Sequence, residues 1–215
     1  MAQTPVSKKG FYDESKKNYS YHNNYDKKIR WIQYHHQIDQ VLKLSPKKVL
    51  EIGIGNKVVS DYLSKYVNIK KFDINSNLSP NVVGSVENLS NHFKTNSFDV
   101  VLCSQVLEHL PFEKFDLCLK QIRDVSKKYV ILSLPHAAIH IRGNISVLKN
   151  FNLKLNLTIP RPIKHKFYLG HYWEIGKANY SKKLIHKHLR KYFDIKSEYG
   201  MPEDPYYRFY ILEKK

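Results

Sequence analysis

The chain has 215 residues, room for one domain with a full core and too few for two large ones. Apolar residues make up 42%, with no uninterrupted apolar window long enough for a membrane-spanning helix, and the polar, Tyr- and Lys-rich start is unlike an apolar leader, so the cytoplasm is the expected compartment. The formal net charge is +17, and from His140 to Tyr192 nine lysines and three arginines stand against one acid, Glu174, a surplus that suits a solvated basic face, an anionic substrate, a nucleic acid or a membrane surface.

Residues 1–25 show no hydrophobic period and are expected to form a mobile arm. Ile29, Ile32, Ile38, Val41 and Leu42 recur at helical spacing between Tyr25 and Leu44, and Ser45-Pro46 ends that helix. Lys48–Ile52 reads as a first strand, Val58–Tyr66 as a helix, Ile69–Ile74 as a second strand and Val82–Gly84 as a short third. A helical turn or two follows over Val86–Phe93. Phe98–Cys103 is a fourth strand, almost wholly apolar as a strand covered on both faces must be. Phe112–Val125 is a helix bearing Phe115, Leu119 and Ile122, and Tyr129–Leu134 is a fifth strand stopped by Pro135.

This alternation predicts an α/β fold: a Rossmann-like, doubly wound, mostly parallel seven-stranded sheet with helices on both faces. Residues 26–215 are expected to form a single domain. Residues 137–178, with Pro160, Pro162, scattered aromatics and many cations and without a clean period, read as a basic insertion or lid after strand five. A Ser181-capped helix over Ser181–Tyr192 and two closing strands, Phe193–Glu198 and Arg208–Leu212, complete the pattern. Cys103 falls in an apolar strand and Cys118 on a helical pattern, so both are expected as buried free thiols.

Leu50-Glu51-Ile52-Gly53-Ile54-Gly55 runs from a strand into a tight turn, and Asp73 ends the next strand twenty residues after Gly53. Glycines let a ligand approach the backbone, and a carboxylate at that spacing can accept ribose hydroxyls, so the pattern suits a nucleoside. A dinucleotide fingerprint needs a third glycine for close helix–strand packing, and Val58 stands there.

Four segments in order, Leu50–Gly55, Phe72-Asp73-Ile74, Gly84–Leu89 and Ser97–Val101 running into Gln105-Val106-Leu107-Glu108-His109-Leu110, resemble the class I S-adenosylmethionine-dependent methyltransferases over roughly residues 47–136. The last segment is similar to the branch acting on small molecules, lipids and sugars. The resemblance implies S-adenosylmethionine as cofactor. It also implies that Glu51 orients the methionine end, Gly53 and Gly55 line it with backbone, Asp73 holds the ribose diol, Ser85 and Val86 sit at the adenine, and Gln105 lies beside the methionine moiety. Two positions depart from the family pattern: Lys57 where relatives often have a third alternating glycine, and Ser85 where they often carry an acid.

Methyl transfer from a sulfonium needs alignment of the acceptor, and a base only where the acceptor arrives protonated. His109, His136 and His171 are the candidate bases, each placed after a strand or in the insertion, where ligands bind in open α/β sheets. Glu174 accompanies His171, Tyr172 and Trp173 are expected to pack the insertion onto the core, and Glu108 reads as a helix cap or polar surface residue. No Asn-Pro-Pro-Tyr-like motif follows strand four, which argues against a nucleobase amine as acceptor. No Cys/His set has zinc-site spacing, and no metal is expected. The leading expectation is methyl transfer to an oxygen or nitrogen of a small-molecule, sugar or lipid-linked acceptor, with phosphate or carboxylate in it favoured by the basic segment. RNA modification through residues 140–192 and a non-catalytic interaction protein are the alternatives.

Overall fold

The computed structural model describes residues 25–147 and 151–215, so the arm expected over residues 1–25 lies, apart from Tyr25, outside the described residues. A seven-stranded sheet forms the centre. It comprises β1 (Lys48–Ile52), β2 (Asn68–Asp73), β3 (Val82–Val83), β4 (Phe98–Ser104), β5 (Ser126–Pro135), β8 (Phe193–Met201) and β9 (Asp204–Lys214), in the spatial order β3-β2-β1-β4-β5-β9-β8. The first five strands pair in parallel; β9 runs antiparallel to β5 and β8 antiparallel to β9. The mostly parallel α/β sheet expected from the βαβ alternation is therefore present. The chain reverses direction across the sheet at β1 and β4, where open α/β sheets bind ligands.

Alternation along each strand divides the core into two layers. Leu50 and Ile52 of β1 and Val101 and Cys103 of β4 face one side, packed under α3 (Phe115–Val125) and α4 (Lys182–Tyr192). Val49 of β1 and Val100 and Leu102 of β4 face the other, under α1 (Lys28–Lys43) and α2 (Val58–Leu63). Each such aliphatic side chain removed from water contributes about 1.5–3 kcal/mol. Both cysteines are buried and free. Asp99 stabilises the strand starts, its Oδ2 accepting the backbone N–H groups of Lys47 (3.0 Å) and Lys48 (2.9 Å).

The helix expected over Val58–Tyr66 is shorter, ending at Leu63 in a turn over Ser64–Tyr66, and Ser181 caps α4 by accepting the Leu184 N–H at 3.1 Å. The larger difference lies after β5. Residues expected to lack a period form an antiparallel hairpin, β6 (Ala138–Val147) and β7 (Phe151–Pro160), separate from the main sheet. Ile139 faces Ile159 and Ile141 faces Leu157 in its register, and all four are exposed. Their period-two spacing was present in the sequence; the intervening cations and asparagines concealed it. Residues 161–181 then return to the main body, anchored by Trp173. Its indole is fully buried against Phe112 (5.1 Å) and Phe115 (5.0 Å), and its Nε1–H donates to the Leu110 carbonyl at 3.1 Å.

Candidate active site

A cavity of about 620 Å³ opens above the C-terminal ends of β1, β2 and β4. Glu51, Gly53, Gly55, Asp73, Ser85, Val86 and Gln105 all line it, so the seven positions implied by the motifs meet in one place. Of the three candidate histidines, His109 and His171 line it as well.

The loop after β1 is held in its shape from two directions. Gly53 has φ +80°, and a Cβ there would meet Val106 Cγ2 at 2.3 Å, so both backbone and space require glycine. Asp73 then ties this loop to the end of β2. Its Oδ2 accepts the Ile54 N–H and its Oδ1 the Asn75 N–H, each at 2.8 Å. Each carboxylate oxygen can accept two bonds, so clasping the loop is compatible with receiving ligand hydroxyls. Lys57 follows as the N-cap of α2 in the left-handed region, φ 68°, without a side-chain cap. A glycine suits that conformation at no steric cost, which gives the departure at this position a backbone consequence.

Glu51 is 3% exposed, and its Oε2 has no hydrogen-bond partner in the protein. Burial pushes its carboxyl up to about 8, against a lowering contribution from a Ser60 hydrogen bond. A buried carboxylate in a nucleoside-sized cavity is a natural partner for a ligand cation. On the adenine side expected from the motif, Ser85 Oγ accepts the Glu87 N–H at 3.3 Å and so opens the 3-10 segment Val86–Asn91.

The other wall carries the polar aromatic cluster. Gln105, at φ 54°, accepts from Ser133 Oγ (3.0 Å) and the Leu134 N–H (3.2 Å) and donates to Glu108 Oε1 (3.2 Å) when its amide is oriented to satisfy both sides. Glu108 is fully buried, which corrects its expectation as a cap or surface residue: the 3-10 turn Leu107–His109 directs it inward beneath Gln105. His109 Nδ1 lies 3.1 Å from the Gly170 carbonyl, and its ring meets the His171 ring edge-on at 5.0 Å. His171 Nδ1 lies 2.9 Å from Glu174 Oε1, to which the Tyr206 hydroxyl also donates at 2.6 Å. Burial acts to raise the Glu174 carboxyl, but the hydrogen bonds from His171 and Tyr206 outweigh it and hold it below the ordinary value.

His136 stands apart. It does not line the cavity; it is buried beyond the end of β5, where its Nδ1 accepts from Arg208 Nε at 3.0 Å and its carbonyl lies 3.1 Å from His140 Nε2. Burial first, and Arg208 second, push its imidazole down to about 4. Its place after strand five led sequence reasoning toward the site. The chain instead turns away at the bridge between His136 and Ile175.

The α1 and β9 walls have no counterpart among the residues expected from the sequence. Arg30, Gln33, Tyr34 and Gln37 of α1 and Tyr206 and Tyr207 of β9 line the same cavity. Gln33 and Gln37 are buried four residues apart, and the Gln33 Oε1 has no partner in the protein. Two amides on one face of a helix whose neighbours are apolar were the available signal.

Residues 50–134 match the family model of a methyltransferase domain. A search of curated proteins found no match. Among solved structures, a SAM-dependent methyltransferase from Archaeoglobus fulgidus is similar at 14% identity and a TM-score of 0.59, over 91% of this chain and 100% of that one. An S-adenosylmethionine-dependent methyltransferase from Clostridium acetobutylicum is similar at 12% identity and a TM-score of 0.59, over 90% and 97%. The Burkholderia thailandensis 1,6-didemethyltoxoflavin-N1-methyltransferase, solved with its acceptor and S-adenosylhomocysteine, is similar at 14% identity and a TM-score of 0.58, over 91% and 84%. No helix among the described residues is long and apolar enough to cross a membrane.

Proposed function

We infer that this chain, an S-adenosylmethionine-dependent methyltransferase of class I architecture, transfers the methyl group to an oxygen or nitrogen of a small-molecule, sugar or lipid-linked acceptor, with an anionic group on that acceptor. The observation that carries this reading is the meeting of Glu51, Asp73 and the Gln105–His109–His171 wall around one cavity. Bound S-adenosylmethionine supplies an activated methyl on a sulfonium.

The chain's own residues then have distinct tasks. The buried Glu51 carboxylate accepts from the ammonium of the methionine end, the group its partnerless oxygen lacks. Gly53 and Gly55 bring backbone against the ligand, Asp73 accepts the ribose hydroxyls, and Ser85 and Val86 flank the adenine. Gln105 borders the methionine moiety and the acceptor side. His109 and His171 stand where an acceptor proton must leave, and the hydrogen-bonded Glu174–Tyr206 pair orients His171. His136 has no task in this reading beyond holding Arg208.

The cationic stretch supports an anionic acceptor. Calorimetric titration with S-adenosylhomocysteine tests the cofactor half. Binding is expected in the wild type and at least tenfold weaker in Asp73→Ala. Radiolabelled methyl transfer into extract fractions, sorted by size and charge, tests the acceptor half. Label confined to macromolecular RNA would overturn the acceptor class.

A further inference from the structure

We propose that Glu108, His109 and His171 bind a divalent first-row transition-metal ion at the acceptor end of the cavity, and that this ion holds and acidifies an oxygen acceptor. The inference rests on the methyltransferase reading above and names the acceptor chemistry within it.

One potential ligand atom from each of the three residues lies within 4.8 Å of the other two. An ion with bonds of about 2.0–2.2 Å can reach all three after small side-chain adjustments. The donors are two imidazoles and one carboxylate, a set that suits zinc, manganese, cobalt or iron(II) better than magnesium and leaves coordination positions for other ligands.

A second observation is independent of that proximity. Metal-binding histidines characteristically fix their other ring nitrogen on a carbonyl or carboxylate. His109 places Nδ1 on the Gly170 carbonyl at 3.1 Å, and His171 places Nδ1 on Glu174 Oε1 at 2.9 Å, itself held by Tyr206. Both rings thereby turn Nε2 into the acceptor nitrogen. Glu108 is held too, by the Gln105 amide at 3.2 Å. The supports come from separate parts of the chain, the 3-10 turn after β4, the returning segment 169–174 and β9, which is why sequence spacing gave no sign of a metal.

His109, His171 and Gln105 line the cavity, so the open coordination positions face the acceptor. The chemistry then selects an acceptor offering two adjacent oxygens, such as a vicinal diol, a catechol or a hydroxycarboxylate. The ion lowers the pKa of the coordinated hydroxyl, and its proton passes to solvent. The resulting oxyanion attacks the methyl carbon as the S–C bond breaks and the electron pair remains on sulfur. With the ion bound, the two imidazoles act as ligands, and the ion takes over the proton-releasing role that the rings hold in the metal-free reading above.

The test uses the full chain stripped with a chelator and titrated with zinc, manganese and cobalt(II), with binding read by calorimetry and by the visible absorption of cobalt. One ion per chain is expected, with cobalt bands of a low-coordinate nitrogen–oxygen site. Glu108→Gln, His109→Asn and His171→Ala are each expected to weaken binding at least tenfold. His186→Ala, on α4 outside the cavity, is expected to leave binding unchanged. S-adenosylhomocysteine binding and circular dichroism are measured on every variant. Retained cofactor binding shows that the variants fold and that the methyltransferase reading stands. Absence of stoichiometric metal in a cofactor-binding wild type overturns the metal site alone. Metal binding equal in wild type and all three variants, the signature of scattered surface histidines, overturns it too. Loss of both cofactor and metal binding in the wild type overturns the underlying reading as well.

Discussion

If Glu51 meets the cofactor's ammonium, cofactor affinity must depend on pH in a way that one substitution removes. With its carboxyl pushed up to about 8, Glu51 is about 1% ionised at pH 6 and about 9% at pH 7 in the ligand-free protein. An ammonium partner requires the carboxylate, so binding expels the proton. The cost is about 2.7 kcal/mol at pH 6 and about 1.4 kcal/mol at pH 7, which predicts a roughly tenfold gain in affinity between them. Above pH ~8 the gain ends, because Glu51 is then ionised and the ligand's own amino group begins to lose its proton. Calorimetry with S-adenosylhomocysteine, in buffers of different ionisation enthalpy, reads both the affinity and the proton released, expected near 0.9 per ligand at pH 7. Glu51→Gln should bind with no such slope, about 10–100-fold weaker than wild type at pH 8 and converging with it near pH 6. 5′-Methylthioadenosine, which lacks the amino-acid end, should bind both proteins without the slope. Histidines also titrate in this range, so the difference between wild type and Glu51→Gln is the decisive quantity. Equal slopes in the two proteins would refute the pairing.

Other consequences concern stability and surface. Lys57→Gly relieves the left-handed backbone at φ 68° but frees the unfolded chain, so a net stabilisation of about 0.5–1 kcal/mol is expected, a rise of about 1–3 °C in Tm by scanning calorimetry; a fall would contradict the strain. Trp173→Ala should cost about 3–5 kcal/mol in chemical denaturation, since the indole is fully buried and hydrogen-bonded, and should lower methyl transfer more than cofactor binding because it anchors the segment carrying His171. His136 is neutral in the fold and its imidazole lies well below the unfolded value of 6.5, so the unfolded state takes up the extra proton. Its contribution, on the order of 2 kcal/mol, is therefore present above pH ~6.5 and lost as pH falls toward 4; His136→Asn should flatten that part of the stability profile in urea titrations. Lys183, Lys187, Arg190 and Lys191 share one exposed side of α4, and if the chain uses RNA, reversing the charge of the first two should abolish a gel-shift seen at low salt. A complex unaffected by reversal would place RNA on another face.

The succession of β1–β5 and the gathering of the motif residues around one cavity were legible in the chain itself. Apolar runs such as Phe98–Cys103 declare strands buried on both faces, and Glu51, Gly53 and Asp73 sit at the C-terminal ends of adjacent parallel strands, so that residues twenty apart in the chain come side by side. The fold leaves such short βα units little freedom, so local pattern is sufficient to locate them.

The acceptor side was decided by the tertiary structure. Glu108 reads as a surface acid until the 3-10 turn buries it, and His136 and His171 look alike until the chain turns one toward Arg208 and the other into the cavity. The wall joins residues of α1, the turn after β4, the return through Trp173 and the antiparallel β9, none of them neighbours in sequence. Their meeting depends on where an exposed hairpin and a long return segment re-enter the body. Those positions follow from packing summed over many distant contacts, a quantity no local spacing of residue types encodes.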